Sequence, residues 1–120
     1  MRAPSQLQPV WLVSDGRVLG AAMRATTRSD RRRGLIGVDE VSHPLVIIPC
    51  KWIHTVGMRT ALDVVYVNAD NTVVETSTIK PWRVGAYVST ASFVIEAAPG
   101  FIDKWSITTG LTIEVRDVQQ

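Results

Sequence analysis

The sequence lacks several features that would place it in a specialised class of protein. Among its 120 residues there is one cysteine, Cys50, which excludes a disulfide within the chain. No stretch approaches the roughly 18 apolar residues of a membrane-spanning helix, so we predict no membrane span. The first residues also lack the apolar core of a signal peptide, and a cytoplasmic location is therefore the expectation.

The chain also has little net charge. Thirteen basic and eleven acidic residues give +2 at neutral pH, too small a balance to indicate nucleic acid as a partner. The basic residues nevertheless cluster in one short stretch, at Arg24, Arg28, Arg31, Arg32 and Arg33. This cluster could bind phosphates, but a solvated helix face is the favoured interpretation. No glycine-rich phosphate loop or serine elbow is present, and we predict no cofactor.

Turn signals divide the chain into short strands. Residues 1–9 are polar and contain two prolines, which predicts a flexible tail before a single β domain over residues 10–118. Asp15-Gly16 lies between two apolar runs and predicts a hairpin that joins strands over 10–13 and 17–25. Asp70-Asn71 predicts a second hairpin, between strands over 62–67 and 72–79.

The remaining segments complete a mainly β pattern. A short helix is expected after Thr27 or Ser29, which can cap it, with Gly37 at its end. Three more strands are predicted over residues 45–48, 93–96 and 111–115, and a helical turn is predicted over residues 101–105. About seven short strands with one or two short helices predict a small closed or partly closed barrel-like sheet.

Several stretches match one family pattern in order, and they are Arg31–Gly37, His54–Arg59 with Leu62–Val67, Asp70–Val74, Ile95–Gly100 and Gly110. Together they resemble the domain of unknown function 192 family over about residues 20–116. The resemblance implies a small barrel-like β fold and no established activity. Gly57 stands where many members of that family have tryptophan.

Two carboxylates lie at the ends of apolar strands. Asp63 follows Leu62, and Glu96 follows Ile95. An unpaired carboxylate in such a place is costly, so each should be paired, hydrogen-bonded or protonated. If the sheet brings the two together, they could do acid–base work. The alternatives are a structural role for Asp63 in tying down backbone amides, and an ion pair of Glu96 with Arg59, Arg83 or a helix arginine.

His54 lies in an irregular loop and suits proton transfer, metal binding or a structural hydrogen bond. Cys50, His54 and Met58 supply the thiolate, imidazole and thioether of a blue-copper site, with His43 as a possible second imidazole. His43 lies too near Cys50 in sequence for that site, and a methionine in this setting is more often core. We therefore predict no metal.

Two irregular loops, over residues 52–63 and 80–85, supply cations and flat aromatic surfaces, and the predicted site lies around them. Lys51, Arg59, Lys80 and Arg83 lie in or beside them, together with Trp52 and Trp82. Cations beside aromatic faces suit a small polar or anionic ligand. The sequence thus predicts a binding or accessory module, and the predicted site residues are His54, Arg59, Asp63, Trp82, Arg83 and Glu96. The alternative is a small hydrolase or lyase that uses Asp63, His54 and Glu96 as acid–base groups. No sequence feature indicates an oligomeric state.

Overall fold

The computed structural model describes residues 6–118, which form one seven-stranded sheet and two short helices. In chain order the elements are β1 (Gln8–Ser14), β2 (Arg17–Ala25), α1 (Arg28–Arg33), β3 (Leu45–Ile47), β4 (Leu62–Asn68), β5 (Val73–Ile79), β6 (Ala91–Ala97), α2 (Phe101–Lys104) and β7 (Glu114–Asp117). The mainly β class and the count of about seven strands are confirmed. Neither helix in the described part of the chain is long and apolar enough to cross a membrane.

The sheet has the order β5-β4-β6-β3-β2-β1-β7 and is antiparallel except where β2 runs parallel to β3. Its two edges approach each other through the segment just before β7. There the backbone amide of Val73 donates to Leu111, and the amide of Ile113 donates to Asn71. The sheet is therefore partly closed, as the turn pattern predicted.

Both predicted hairpins are present. Asp15 and Gly16 join β1 to β2 with positive φ angles of 50° and 76°, the conformation of the tight turn that Asp-Gly favours. Asn71, with φ 63°, lies in the turn between β4 and β5. Asn68 Oδ1 stabilises that turn by accepting from the amides of Asp70 and Thr72.

Three predicted boundaries are wrong. Strand β1 already begins at Gln8, within the predicted tail, and residues 1–5 of that tail lie outside the described residues. Helix α1 ends at Gly34 rather than Gly37, because Gly34 adopts a φ of 52° that the helix cannot continue. The last strand begins at Glu114, since residues 111–113 hydrogen-bond to the start of β5 instead.

The sheet buries both of its faces. The inner face, enclosed by the curled sheet, carries the larger cluster of buried side chains: Val10, Leu12, Leu19, Ala22, Val46, Val65, Val67, Val73, Phe93, Ile95, Ile107 and Ile113. The outer face carries a second cluster, in which Leu62, Val64, Tyr66 and Val94 pack with Met58. Leu35 and Ile36, which follow α1, cover part of this outer cluster. The double burial explains why β4 is apolar on both faces.

Asp63 is a structural residue of the inner face. Its Oδ1 accepts a hydrogen bond from the Thr78 hydroxyl at 2.8 Å. Its Oδ2 accepts from the backbone amides of Gly100 and Ile102, both at 3.0 Å, at the start of α2. The carboxylate is thus buried with its partners supplied, and it fastens α2 to the sheet.

We expect Asp63→Ala to lower the free energy of unfolding by about 2–4 kcal/mol, because three donors would lose a charged acceptor. Denaturant unfolding measures the difference. The matched control is Asp103→Ala, which removes an exposed carboxylate from α2 and should change stability by less than about 0.5 kcal/mol. Equal stability of the two variants would contradict the structural role of Asp63.

Candidate functional site

A cavity of about 560 Å³ lies between α1 and the segment that follows β3. Its lining comes from Arg28, Arg31, Arg32, Arg33, Gly34, Leu35, Ile36, Ile47, Pro49, Cys50, Lys51, Trp52, Ile53, His54, Met58, Leu62, Tyr87 and Glu96. The volume is within the range of small-molecule sites. We call this cavity the outer pocket, because it lies on the outer face of the sheet.

Helix α1 is held over the outer pocket by local hydrogen bonds. The Thr27 hydroxyl caps the helix by accepting from the amide of Asp30 at 3.2 Å. Arg31 then donates from Nε to the Thr26 carbonyl and from Nη1 to the Pro49 carbonyl, at 3.2 and 3.3 Å. The second of these bonds ties the helix to the segment across the pocket.

Glu96 is the acidic residue of the outer pocket. Its side chain is on the outer face of β6 and only 3% of the residue is exposed. Its Oε1 is the one buried side-chain polar atom in residues 6–118 without a hydrogen-bond partner. A buried acceptor in that state costs free energy that the fold does not recover. The predicted ion pair of Glu96 with Arg59, Arg83 or a helix arginine is absent from the described part of the chain.

Burial raises the pKa of Glu96 to about 7 from an ordinary value of 4.5. The cause is desolvation of the charged form, which the nearby backbone amide of Leu35 only partly opposes. At neutral pH the side chain therefore exists in both protonation states, as an acceptor and as a possible donor.

Gly34 lies directly over this carboxylate. A Cβ at position 34 would come within 2.9 Å of Glu96 Oε1, closer than van der Waals contact allows. The φ of 52° is also one that residues with side chains rarely adopt. Glycine thus keeps open the space that Oε1 faces.

Basic side chains dominate the charge of the lining. Arg28, Arg31, Arg32, Arg33 and Lys51 line the outer pocket, and none of them forms an ion pair within residues 6–118. Against these five cations the lining contains one acid, which is buried. The electrostatic balance of the pocket therefore favours an anionic group.

Two aromatic side chains stand in the lining with much of their surface in water. Trp52 is 47% exposed and Tyr87 is 67% exposed. The indole of Trp52 is held in place, because its Nε1 donates to the Gly85 carbonyl at 3.1 Å. A fixed aromatic ring offers contact area at little cost in conformational entropy.

Residues 53–55 of the predicted 52–63 loop lie beside the loop over residues 80–85, as the sequence interpretation required. Thr55 joins them: its buried hydroxyl donates to the Lys80 carbonyl at 2.6 Å and accepts from the Arg83 amide at 2.9 Å. Residues His54 and Val84 pair as an isolated antiparallel bridge. Only the first of these two loops lines the outer pocket.

Cys50, His54 and Met58 all line the pocket, but each has a local structural setting. The Cys50 thiol donates to the Trp52 carbonyl at 3.2 Å, and desolvation raises its pKa, which favours the unreactive thiol. His54 Nδ1 accepts from the Val56 amide at 3.2 Å, and Met58 is buried in the outer cluster. In the described ranges no group of three or more His, Cys, Asp or Glu side chains is placed to hold a metal.

The structure separates the six site residues predicted from the sequence. His54 and Glu96 line the outer pocket, whereas Arg59, Asp63, Trp82 and Arg83 do not. Arg59 forms a surface ion pair with Asp39, and Arg83 donates to the neighbouring Pro81 and Trp82 carbonyls.

The carboxylate pair of the acid–base alternative is not assembled. In the pairing of β4 with β6, Val64 stands opposite Glu96 and Asp63 stands opposite Ala97. Because neighbouring side chains along a strand point to opposite faces, Asp63 faces inward and Glu96 faces outward. The two carboxylates therefore lie on opposite sides of the sheet.

Sequence reasoning missed Tyr87 and gave the helix arginines a solvated role. No sequence signal marks Tyr87, which reaches the pocket only through the fold. The arginines did have a signal in the sequence, because they stand directly before Gly34. A glycine that ends a helix often marks a place where the backbone comes close to another group.

A second cavity, of about 380 Å³, lies near α2 and includes His43, Lys104 and Trp105 in a largely apolar lining. Within the described residues it contains no buried polar side chain that lacks a partner. The outer pocket is therefore the better candidate for a site.

Comparison with known proteins relates the chain to proteins without an assigned activity. Residues 10–115 match the model of a family described as an uncharacterised ACR, the domain of unknown function 192. A UPF0127 protein of Pyrococcus furiosus is 32% identical over 62 residues, which are 52% of this chain and 53% of that protein. A UPF0127 protein of Thermococcus kodakarensis is 31% identical over 97 residues, which are 76% of this chain and 62% of that protein. The chain thus spans about half to three-fifths of the length of these relatives.

Two solved structures share the fold. A protein of unknown function from Novosphingobium aromaticivorans superposes with a TM-score of 0.74 at 17% identity, over 95% of this chain and 91% of that one. A candidate transcription regulator from Sinorhizobium meliloti gives a TM-score of 0.72 at 16% identity, over 96% and 98% of the two chains. At such identities the likeness concerns the fold alone.

The pKa of Glu96 leads to a pH dependence of stability. Between about pH 4.5 and 7 the folded protein keeps a proton that the unfolded chain has released, so raising the pH lowers the free energy of unfolding. A pKa of about 7 against 4.5 corresponds to a loss of roughly 3 kcal/mol above pH 7. We expect Glu96→Gln to remove this part of the dependence. Chemical denaturation of both proteins at several pH values measures it, and parallel profiles would contradict it.

Gly34→Ala tests the close approach over Glu96. We expect a loss of about 1–3 kcal/mol in unfolding free energy, because the new methyl group meets Oε1 and the backbone conformation disfavours a side chain. The double variant with Glu96→Ala should recover the steric part of this loss. Strictly additive effects in the double-mutant cycle would show that the two residues do not interact.

Proposed function

The chain belongs to the domain of unknown function 192 family, as its motifs predicted, and we propose that it is a binding module for a small anionic ligand. The ligand occupies the outer pocket. The observation that carries this proposal is the lining itself, in which five cations without an ion pair in residues 6–118 line a cavity of about 560 Å³. The proposal moves the site predicted from the sequence, because the loop over residues 80–85 does not line this pocket.

The charge arrangement supports a ligand rather than a purely structural role. Arginines that only solubilise a helix point away from the protein, whereas those of α1 line a cavity together with Lys51 on its far side. Lys51 Nζ donates to the Ser89 and Ala91 carbonyls at 2.8 and 2.7 Å, which fixes its position. The positive charge of the lining suits a carboxylate or phosphate.

The positions and contacts of the predicted catalytic groups favour binding over acid–base catalysis. Asp63 is committed to three structural hydrogen bonds on the inner face. Of the predicted acid–base residues, His54 and Glu96 remain in the pocket. Glu96 Oε1 has no partner within residues 6–118, which supports a role as an acceptor for a ligand.

A thermal-shift screen of anionic metabolites tests the proposal with two matched pairs of variants. Arg32→Ala and Trp52→Ala change the lining, whereas Arg83→Ala and Trp82→Ala change the same residue types outside it. We expect compounds that raise the melting temperature of the wild type to lose about tenfold or more in affinity with the first pair only. Their affinity should also fall as salt is added.

The outcome can contradict the proposal in two ways. Loss of affinity with Arg83→Ala and Trp82→Ala alone would place the site at the loop over residues 80–85, as the sequence suggested. Equal effects of all four variants, or no stabilising compound among carboxylates, phosphates and sulfates, would remove the case for an anion site in the outer pocket.

A further inference from the structure

The buried carboxylate of Glu96 is not explained by an anionic ligand alone. An acid inside a pocket of five cations would be expected to pair with one of them. Within the described chain it pairs with none, and its Oε1 has no hydrogen-bond donor at all. The protein thus leaves this buried acceptor, on a residue that lines the pocket, without a donor.

The surroundings of Oε1 explain why the protein itself does not satisfy it. Gly34 presents no side chain there, and a Cβ at that position would fill the space. The side chains of the neighbouring lining residues Leu35, Ile47 and Leu62 are apolar, and the backbone amide of Leu35, which does bond to the carboxyl group, leaves Oε1 without a partner. A bound molecule could supply the missing donor, and ammonium and hydroxyl groups both form strong, charge-assisted hydrogen bonds with a carboxylate.

We propose that the ligand of the outer pocket is an amino or hydroxy acid, whose ammonium or hydroxyl group binds Glu96 while its acid group binds the arginines. This inference rests on the proposed function and narrows it to one class of molecule. The two groups of the ligand are recognised separately. The basic side chains bind its acid group, and Glu96 binds the ammonium or hydroxyl group, which is a different part of the same molecule. An acid without such a donor leaves Oε1 unsatisfied and buried.

Glu96 thereby acts as a specificity residue. A site that holds a buried hydrogen-bonding group discriminates strongly against an analogue that lacks the matching group. Simple anions would still be attracted by the cations, but they would bind more weakly than their amino or hydroxy counterparts. Amines without an acid group would be repelled by the basic lining.

The test uses two series of probes that differ only in the groups at issue. The first comprises phenylalanine, 3-phenyllactate, 3-phenylpropionate and phenethylamine, and the second comprises glutamate, 2-hydroxyglutarate and glutarate. Affinities are measured by ligand-observed NMR on the wild type and on Glu96→Gln. The control variant is Glu40→Gln, which removes an exposed acid outside the pocket.

We expect at least one series in which the amino or hydroxy acid binds the wild type about tenfold or more tightly than the analogue without the donor. Glu96→Gln should weaken the amino acid by about tenfold to a hundredfold, the range for a hydrogen bond to a charged group. The analogue without the donor should bind both proteins alike. Glu40→Gln should match the wild type throughout.

Equal binding of each acid and its analogue would overturn the inference, as would an amino acid whose affinity survives Glu96→Gln. Binding by none of the probes would overturn it too. Each of these three outcomes is distinct from failure of the proposed function. The proposed function is tested by the screen of simple anions and by the arginine and tryptophan variants. The two results together separate an anion pocket from a pocket specific for amino or hydroxy acids.

Discussion

The antiparallel register between β4 and β6 is the constraint on which the rest of the molecule depends. It places Val64 opposite Glu96 and Asp63 opposite Ala97, near the ends of these two neighbouring strands. Because side chains alternate between faces, this register sends one carboxylate inward and the other outward. A shift of this register by one residue would move side chains to the opposite face of the sheet. The carboxylates would then be buried away from the groups that now surround them.

The two buried carboxylates differ in what the fold does with them. Asp63 accepts three hydrogen bonds and thereby anchors the start of α2 to the sheet. Glu96 is as deeply buried, yet within residues 6–118 its Oε1 has no partner, and burial raises its pKa to about 7. A buried group that costs stability and lines a cavity is typical of a functional site, where local stability is given up for binding.

The outer pocket is assembled from parts that are distant in sequence. Helix α1, with its arginines, lines the pocket together with Ile47 of β3 and Glu96 of β6, and Arg31 joins the helix to Pro49. Gly34 ends the helix at the point where it passes over Glu96. The termination of the helix and the access to the carboxylate therefore depend on the same glycine.

Local patterns in the sequence determined the elements. Asp15-Gly16 and Asp70-Asn71 specified their hairpins, because those turns require residues that tolerate positive φ, and Thr27 marked the start of α1. The composition of the candidate site depended instead on which face of the sheet each side chain occupies and on which segments pack against that face. No periodicity could show that Asp63 and Glu96 point apart, or that Tyr87 lines the same cavity as the arginines of α1. Strand register and closure of the sheet arise from contacts between residues far apart in the chain.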